Sequence, residues 1–140
     1  MRHLGAHIAH IAPGRVHIVL PGRPEVTQQD GYFHAGATSA IADSAGGYAA
    51  FTLFPENTSV LTVEYKINLL APAVGDHIEA VGTDRGGYHA EVRQPRRRGA
   101  CGVLVGRRAA RDKWHIRDRI CRPAQLQPGP TCLNSTPRFL

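Results

Sequence analysis

The sequence lacks the features of membrane, disulfide-bonded and zinc-binding proteins. No apolar run reaches the roughly 20 residues that span a bilayer, and the first residues lack the apolar core of a signal peptide. The three cysteines, Cys101, Cys121 and Cys132, are odd in number and form no CxxC pair, so we expect free thiols. These absences predict a cytoplasmic protein with no membrane partner.

Lysine is nearly missing from the second part of the chain, where arginine is abundant. Residues 83–140 contain twelve Arg and one Lys against four Asp and Glu, a net charge of +9, whereas residues 1–82 carry −3. The 140 residues suffice for one domain with its own core. The break in composition predicts a folded domain over residues 1–82 and an atypical arginine-rich part over residues 83–140.

Strand periodicity flanks a long segment of small residues. Apolar residues alternate with polar ones at Val16, Ile18 and Leu20, and the preceding Pro-Gly pair at residues 13–14 predicts a bulge or corner within that strand. Residues 60–70 and 77–82 predict two further strands, which a proline and a Gly-Asp turn separate.

The small-residue segment, residues 31–54, predicts a central helix. Asp43 is its only permanently charged residue, and Ala, Gly, Ser and Thr supply most of the rest. Residues 36–51 contain no proline and can be helical, although Gly46 and Gly47 each cost about 1 kcal/mol relative to alanine. Small residues on nearly every face suit a helix that a curved sheet encloses. The expected order is strand, buried helix, strand, strand.

Ordered motifs in these segments carry a family resemblance. Residues 28–36 read QQDGYFHAG and precede AIADSA at residues 40–45, and residues 61–68 read LTVEYKIN and precede LAPA at residues 70–73. The set resembles the hotdog-fold acyl-CoA thioesterases of the phenylacetate-degradation (PaaI) type. It combines a GxxH(G/A)G turn, an Asp nine residues after the His and a strand closed by Ala-Pro-Ala.

The resemblance implies an α+β hotdog fold, in which a curved antiparallel sheet wraps round the central helix. It also implies that two subunits pair their sheets, as a homodimer or a dimer of dimers, with the active sites at the dimer interface. No cofactor is implied, because coenzyme A is part of the acyl-CoA substrate. The N-terminal histidines, His3, His7, His10 and His17, have no ligand geometry with a carboxylate or thiolate, so we expect no metal.

The resemblance also implies roles for five residues. Asp43 matches the general base or nucleophile that attacks the thioester carbonyl, and the backbone N–H of Ala35 matches the group that polarises the carbonyl oxygen. Gln28 matches a side-chain amide that positions water or substrate, and Thr62 a hydroxyl that orients the nucleophilic water. His34 lies in the loop that shapes the oxyanion site. Ala35 stands where glycine is the commoner residue, and its methyl group leaves less space for the substrate to approach the backbone N–H.

These residue types suit thioester hydrolysis, which needs an activated water or carboxylate and a stabilised oxyanion. Asp43 can supply the first, and N–H groups at a helix start contribute about 3–4 kcal/mol per donor in measured oxyanion holes. Without the motif, Asp43 would be read as a solvated helix residue and His34 as a packing or capping residue. We predict an acyl-CoA thioesterase, and the alternative is a non-catalytic acyl-CoA-binding hotdog protein or pseudoenzyme.

The arginine-rich part leaves two hypotheses open. A hotdog chain should continue through two long strands, whereas only residues 88–92 and 101–105 predict short ones. Abundant arginine mixed with Gly, Pro and Cys is typical of a shifted frame through GC-rich DNA, so one hypothesis is a frameshift near residues 83–90. The other is a genuine basic tail that contacts nucleic acid or the phosphates of coenzyme A. Few aromatic residues are interleaved for base stacking, so we expect no nucleic-acid partner.

Overall fold

The computed structural model describes residues 1–84, 87–95 and 100–112, with side chains up to residue 102. Within these ranges the chain forms six strands and one α-helix. In chain order they are β1 (His7–Ala12), β2 (Arg15–Pro21), α1 (Ala35–Phe51), β3 (Thr58–Leu69), β4 (His77–Asp84), β5 (Tyr88–Arg93) and β6 (Ala100–Asp112). Short 3-10 helices occupy Arg2–Leu4 and Pro24–Val26.

All six strands belong to one antiparallel sheet, in the order β1-β2-β4-β5-β6-β3. The sheet curls round α1, and alternate residues of its central strands form the core with the helix. These residues are Val16, Ile18 and Leu20 of β2, Ile78 and Ala80 of β4, and Ala90 and Val92 of β5. The predicted α+β architecture, a curved antiparallel sheet wrapped round a central helix, is confirmed.

Two glycines allow α1 to approach the sheet closely. A Cβ atom on Gly82 of β4 would lie 2.1 Å from the carbonyl oxygen of Ala45, and a Cβ atom on Gly46 would lie 2.4 Å from Cδ2 of Tyr88. Both distances are far shorter than a van der Waals contact, so only glycine fits at either position. This close packing brings Asp43, about one helical turn before Gly46, against the neighbouring strands.

The N-terminal segment differs from the sequence-based prediction of one strand with a bulge or corner at Pro13-Gly14. These residues are instead the turn of a hairpin that joins β1 to β2, and Ala12 pairs with Arg15 across it. Gly14 has φ 68°, which glycine adopts without strain. The register of the hairpin is irregular between Ile8 and His10.

The sheet continues past Gly82, where the sequence analysis placed the end of the domain. Strand β4 extends to Asp84. β5 nearly coincides with the strand predicted over residues 88–92, and β6 is longer than the strand predicted over residues 101–105. β6 pairs with β5 on one side and with β3 on the other, so it joins the edge strand β3 to the rest of the sheet. Residues 113–140, which contain Trp114, Cys121 and Cys132, lie outside the described residues.

Candidate active site

Asp43 lies where α1 meets the edge strand β3. Its Oδ1 accepts a hydrogen bond from Oγ1 of Thr62 at 2.8 Å and another from Oη of Tyr88 at 3.1 Å. The half-buried Asp43 side chain lines a cavity of about 320 Å³ between α1 and β3, together with Tyr48 and Phe51. A carboxylate held in this way beside a mainly apolar cavity can accept a proton from a water molecule that enters it.

The start of α1 provides a second chemical feature. Nδ1 of His34 accepts a hydrogen bond from the N–H of Gly36 at 2.9 Å, so His34 is the N-cap of the helix. Within the described ranges, no hydrogen bond occupies the N–H of Ala35, the first helical residue. This N–H carries the partial positive charge of a helix start and is available to a carbonyl oxygen.

A cavity of about 490 Å³ adjoins this helix start. Gln28, His34 and Ala35 line it on the side of the loop and helix, and Leu69 and Leu70 line it where β3 ends. The cavity therefore combines apolar side chains with an amide group and a helix N-terminus, a combination suited to a ligand with an apolar part and a carbonyl oxygen.

Backbone hydrogen bonds hold the loop before α1 beside this cavity. Gly31 has φ 77°, which permits the tight turn that begins the segment. The N–H of Phe33 donates to the carbonyl of Ala73 at 2.9 Å, and the N–H of His34 donates to the carbonyl of Val26 at 2.9 Å. The geometry at the helix start is consequently fixed by the chain itself rather than by a ligand.

The structure divides the five predicted site residues into two groups. Asp43 and Thr62 are hydrogen-bonded to each other, whereas Gln28, His34 and Ala35 line the cavity at the helix start. Asp43 follows Ala35 by eight residues, which corresponds to about 12 Å along the helix axis. Within one chain the carboxylate and the N–H therefore border different cavities. The catalytic roles of all five residues stay predictions.

Two further residues, which the sequence did not identify as site residues, contribute to the site. Tyr88 bonds to Asp43, and its place at the head of the alternating Tyr88, Ala90 and Val92 was the signal that could have placed it on the helix side of the sheet. Gln94 is buried, and its Nε2 donates to the carbonyl of Pro72 at 2.9 Å, which supports a loop that lines the larger cavity. No pattern in the sequence marks Gln94.

Cys101 lines the larger cavity but does not have the properties of a nucleophile. Its side chain is 2% exposed, and its thiol donates a hydrogen bond to the carbonyl of Val92 at 3.3 Å. Burial raises the pKa of the Cys101 thiol, which keeps it protonated. Cys101 is a free thiol, as predicted.

The N-terminal histidines do not assemble a metal site in the part of the chain that the structure describes. That part contains no group of three or more His, Cys, Asp or Glu residues with suitable geometry. His17 instead bridges two residues, because its Nδ1 lies 2.8 Å from Oε1 of Glu79 and its Nε2 accepts a hydrogen bond from Nε of Arg15 at 2.9 Å. Over the described ranges, no helix is both long and apolar enough to cross a membrane.

Comparison with known proteins bears on the family and the fold of the chain. Residues 1–109 match the family described as a domain of unknown function, DUF4442. Comparison with curated proteins gave no match. Among solved structures, a thioesterase family protein from Silicibacter pomeroyi is 36% identical, with a TM-score of 0.73 over 79% of this chain and 87% of that protein.

Two more distant structures share the fold. A thioesterase from Haemophilus influenzae is 20% identical, with a TM-score of 0.73 over 79% of this chain and 81% of that chain. A variant of the phenylacetic acid degradation protein PaaI from Thermus thermophilus is 23% identical, with a TM-score of 0.66 over 76% of this chain and 93% of that chain. The resemblance predicted from the sequence is confirmed. The chain therefore belongs to the DUF4442 family and to the thioesterase-family proteins of the hotdog fold.

Proposed function

We propose that the protein hydrolyses acyl-CoA thioesters to a free acid and coenzyme A, with Asp43 as general base or nucleophile. The observation that carries the proposal is the Asp43 carboxylate, which two hydroxyl groups hold through one oxygen in the lining of a cavity. Membership of a thioesterase family supports the reaction class.

In the base-catalysed form of the reaction, Asp43 takes a proton from water as the water oxygen attacks the thioester carbonyl carbon. The carbonyl oxygen becomes an oxyanion, which the N–H of Ala35 stabilises by a hydrogen bond. The carbon–sulfur bond then breaks, the acid leaves, and the thiolate of coenzyme A takes the proton. In the nucleophilic form, the carboxylate attacks the carbonyl carbon and the carbon–sulfur bond breaks, which gives a mixed anhydride and the thiolate of coenzyme A. Water then hydrolyses the anhydride to the free acid and the Asp43 carboxylate, and the proton it releases goes to the thiolate.

The separation of Asp43 from Ala35 along α1 supports a site shared between two copies of the chain. Strand β3 ends the described sheet, so its outer edge can pair with another strand. Its exposed apolar side chains are those of Leu61, Val63, Tyr65 and Leu69. A homodimer that pairs β3 with β3 would cover this edge and extend the sheet across the interface.

The direction of this pairing decides which cavities meet. An antiparallel pair of β3 strands, centred on the strand, places the Leu69 end of one copy beside the Thr58 end of the other. Leu69 borders the cavity at the helix start, and Thr58 borders the cavity of Asp43. The proposed dimer therefore joins Ala35 of one copy to Asp43 of the other in a single site, and it forms two such sites.

The test is thiol release from short, medium, long and aromatic acyl-CoAs by the wild-type protein and by Asp43→Asn. The amide is almost the same size as the carboxylate but can neither take a proton nor attack, so turnover should fall by at least about a hundredfold. Isothermal titration with a non-hydrolysable acyl-CoA analogue provides the control, because binding should persist. Equal turnover by both proteins would refute the role of Asp43. Binding without turnover in the wild type would favour the non-catalytic alternative.

A further inference from the structure

Tyr88 is the one tyrosine of the described chain whose ring is completely enclosed. It is the first residue of β5, its exposure is 0%, and its hydroxyl is 3.1 Å from Oδ1 of Asp43. The helix has glycine at position 46 directly opposite the ring, and any larger residue would overlap it. A glycine inside a helix is unfavourable, so the helix gives up intrinsic stability at the position where this ring packs.

The hydrogen bonds to Asp43 are unevenly distributed between its two oxygens. Oδ1 accepts from both Thr62 and Tyr88, whereas no described residue donates to Oδ2. Because the two donors lie on different strands, they restrict rotation of the carboxylate group about the Cβ–Cγ bond of Asp43. Oδ2 is thereby left to react, and its lone pairs are held in one direction.

We propose that Tyr88 is a positioning residue for Asp43, which holds the carboxylate through Oδ1 so that Oδ2 meets water or the thioester carbonyl. The inference rests on the proposed function, because it assigns Tyr88 a part in that reaction. Tyr88 borders neither of the two cavities described above and acts through Asp43. It is therefore expected to affect the rate of turnover and not the binding of substrate.

The protonation state of Tyr88 agrees with this role. Burial, and to a smaller extent the neighbouring Asp43 carboxylate, raise the pKa of Tyr88 to about 12, whereas the nearby Thr62 hydroxyl acts in the opposite direction. Tyr65 of β3 adds a further small increase. The hydroxyl therefore remains a donor throughout the neutral and mildly alkaline range, and it is not itself a base.

The first test is the Tyr88→Phe variant, whose folded state is checked by circular dichroism and by a cooperative thermal melt. Loss of the hydroxyl should lower kcat by about ten- to a hundredfold, because the carboxylate is no longer held in one direction. KM should stay within about twofold, since Tyr88 borders neither of the two described cavities. A wild-type kcat in a folded Tyr88→Phe protein would overturn the proposal.

The second test needs neither turnover nor the Tyr88 variant. Because coupling between two groups is reciprocal, the Asp43 carboxylate should hold the proton of Tyr88. In a pH titration followed by tyrosinate absorbance at 295 nm, the ionisation with the highest midpoint should therefore occur at lower pH in Asp43→Asn than in the wild type. An unchanged transition would refute the coupling. If Asp43→Asn retained turnover while the transition moved, the proposed role of Asp43 would fail and the contact between the two side chains would stand.

Discussion

The neighbouring glycines of α1 make a sharp test of how closely the helix packs on the sheet. Gly47→Ala places its Cβ no closer than 4.0 Å to Cγ1 of Val60, an ordinary contact. The variant should gain the helix propensity of alanine, about 1 kcal/mol in the free energy of unfolding. For a chain of this size that gain corresponds to an increase of about 3–4 °C in Tm.

Gly46→Ala makes the same chemical change one residue earlier and should have the opposite sign. Its Cβ would lie 2.4 Å from Cδ2 and 3.1 Å from Cε2 of Tyr88, so the enclosed ring must move. Overpacking costs about 1–3 kcal/mol, and loss of the hydrogen bond to Asp43 adds about 1–2 kcal/mol. After the gain in propensity, the free energy of unfolding should fall by about 2 kcal/mol.

Thermal and urea denaturation of the two variants measure this difference. The Tyr88→Val background provides the internal control, because it removes the ring that the new methyl group meets. In that background Gly46→Ala should become stabilising, which is a reversal of sign that a double-mutant cycle reports directly. A Tm for Gly46→Ala that rises as much as that of Gly47→Ala in the wild-type background would refute the packing of Tyr88 against the helix.

Three further predictions concern the helix start and the buried tyrosine. Ala35→Pro should keep the helix, since proline is favoured at the first position of a helix and the preceding His34 has ψ 134°. The substitution removes the N–H of residue 35, so kcat should fall about 10²–10³-fold, whereas the control variant Ala35→Ser should stay active. His34→Ala should lower the free energy of unfolding by about 1 kcal/mol through loss of the N-cap, and His34→Asp should restore most of it in urea denaturation. The pKa of Tyr88 is about 12 in the folded protein against an ordinary value of 10.0, so the contribution of Tyr88 to the free energy of unfolding is complete below pH 10 and is lost as the pH rises toward 12. Urea denaturation over this pH range should show that the wild type loses about 2–3 kcal/mol of unfolding free energy that Tyr88→Phe does not lose.

The central helix was predictable because its composition leaves few alternatives. A segment with one charge, no proline and small residues on every face can be buried only if neighbours approach closely, and Gly46 and Gly82 show how close they come. The hairpin at Pro13-Gly14 was not predictable in the same way, because a Pro-Gly pair is compatible with both a bulge and a turn. Only the pairing of Ala12 with Arg15 decides between them.

The contacts of Asp43 show the limit of local patterns. Thr62 belongs to the motif that carries the family resemblance, so its place beside Asp43 could be anticipated. The alternation of Tyr88, Ala90 and Val92 could place Tyr88 on the helix side of the sheet, but Tyr88 is 45 residues from Asp43, and no local pattern predicts the contact between them. The division of the site into two cavities follows from the eight residues that separate Ala35 from Asp43 along α1, but the cavities themselves are formed by side chains from distant parts of the chain.

The frameshift hypothesis for the arginine-rich part stays a prediction. The family match extends to residue 109 and β6 extends to Asp112, both beyond residues 83–90, where the frameshift is expected. A comparison of the coding DNA with the mass of the intact protein should therefore cover all of residues 83–140. A corrected frame that lengthens the family match would support the hypothesis. A frame that is already continuous would favour a genuine basic tail.

Complementation between two inactive variants tests the central claim most directly. Ala35→Pro and Asp43→Asn chains, co-expressed with different tags and purified over both, give a mixed dimer. In a shared site this dimer contains one intact pair, Ala35 from one chain and Asp43 from the other, so it should recover about half of the wild-type thiol release from an acyl-CoA. A mixed dimer no more active than its parents would contradict a site that joins the helix start of one copy to the carboxylate of the other.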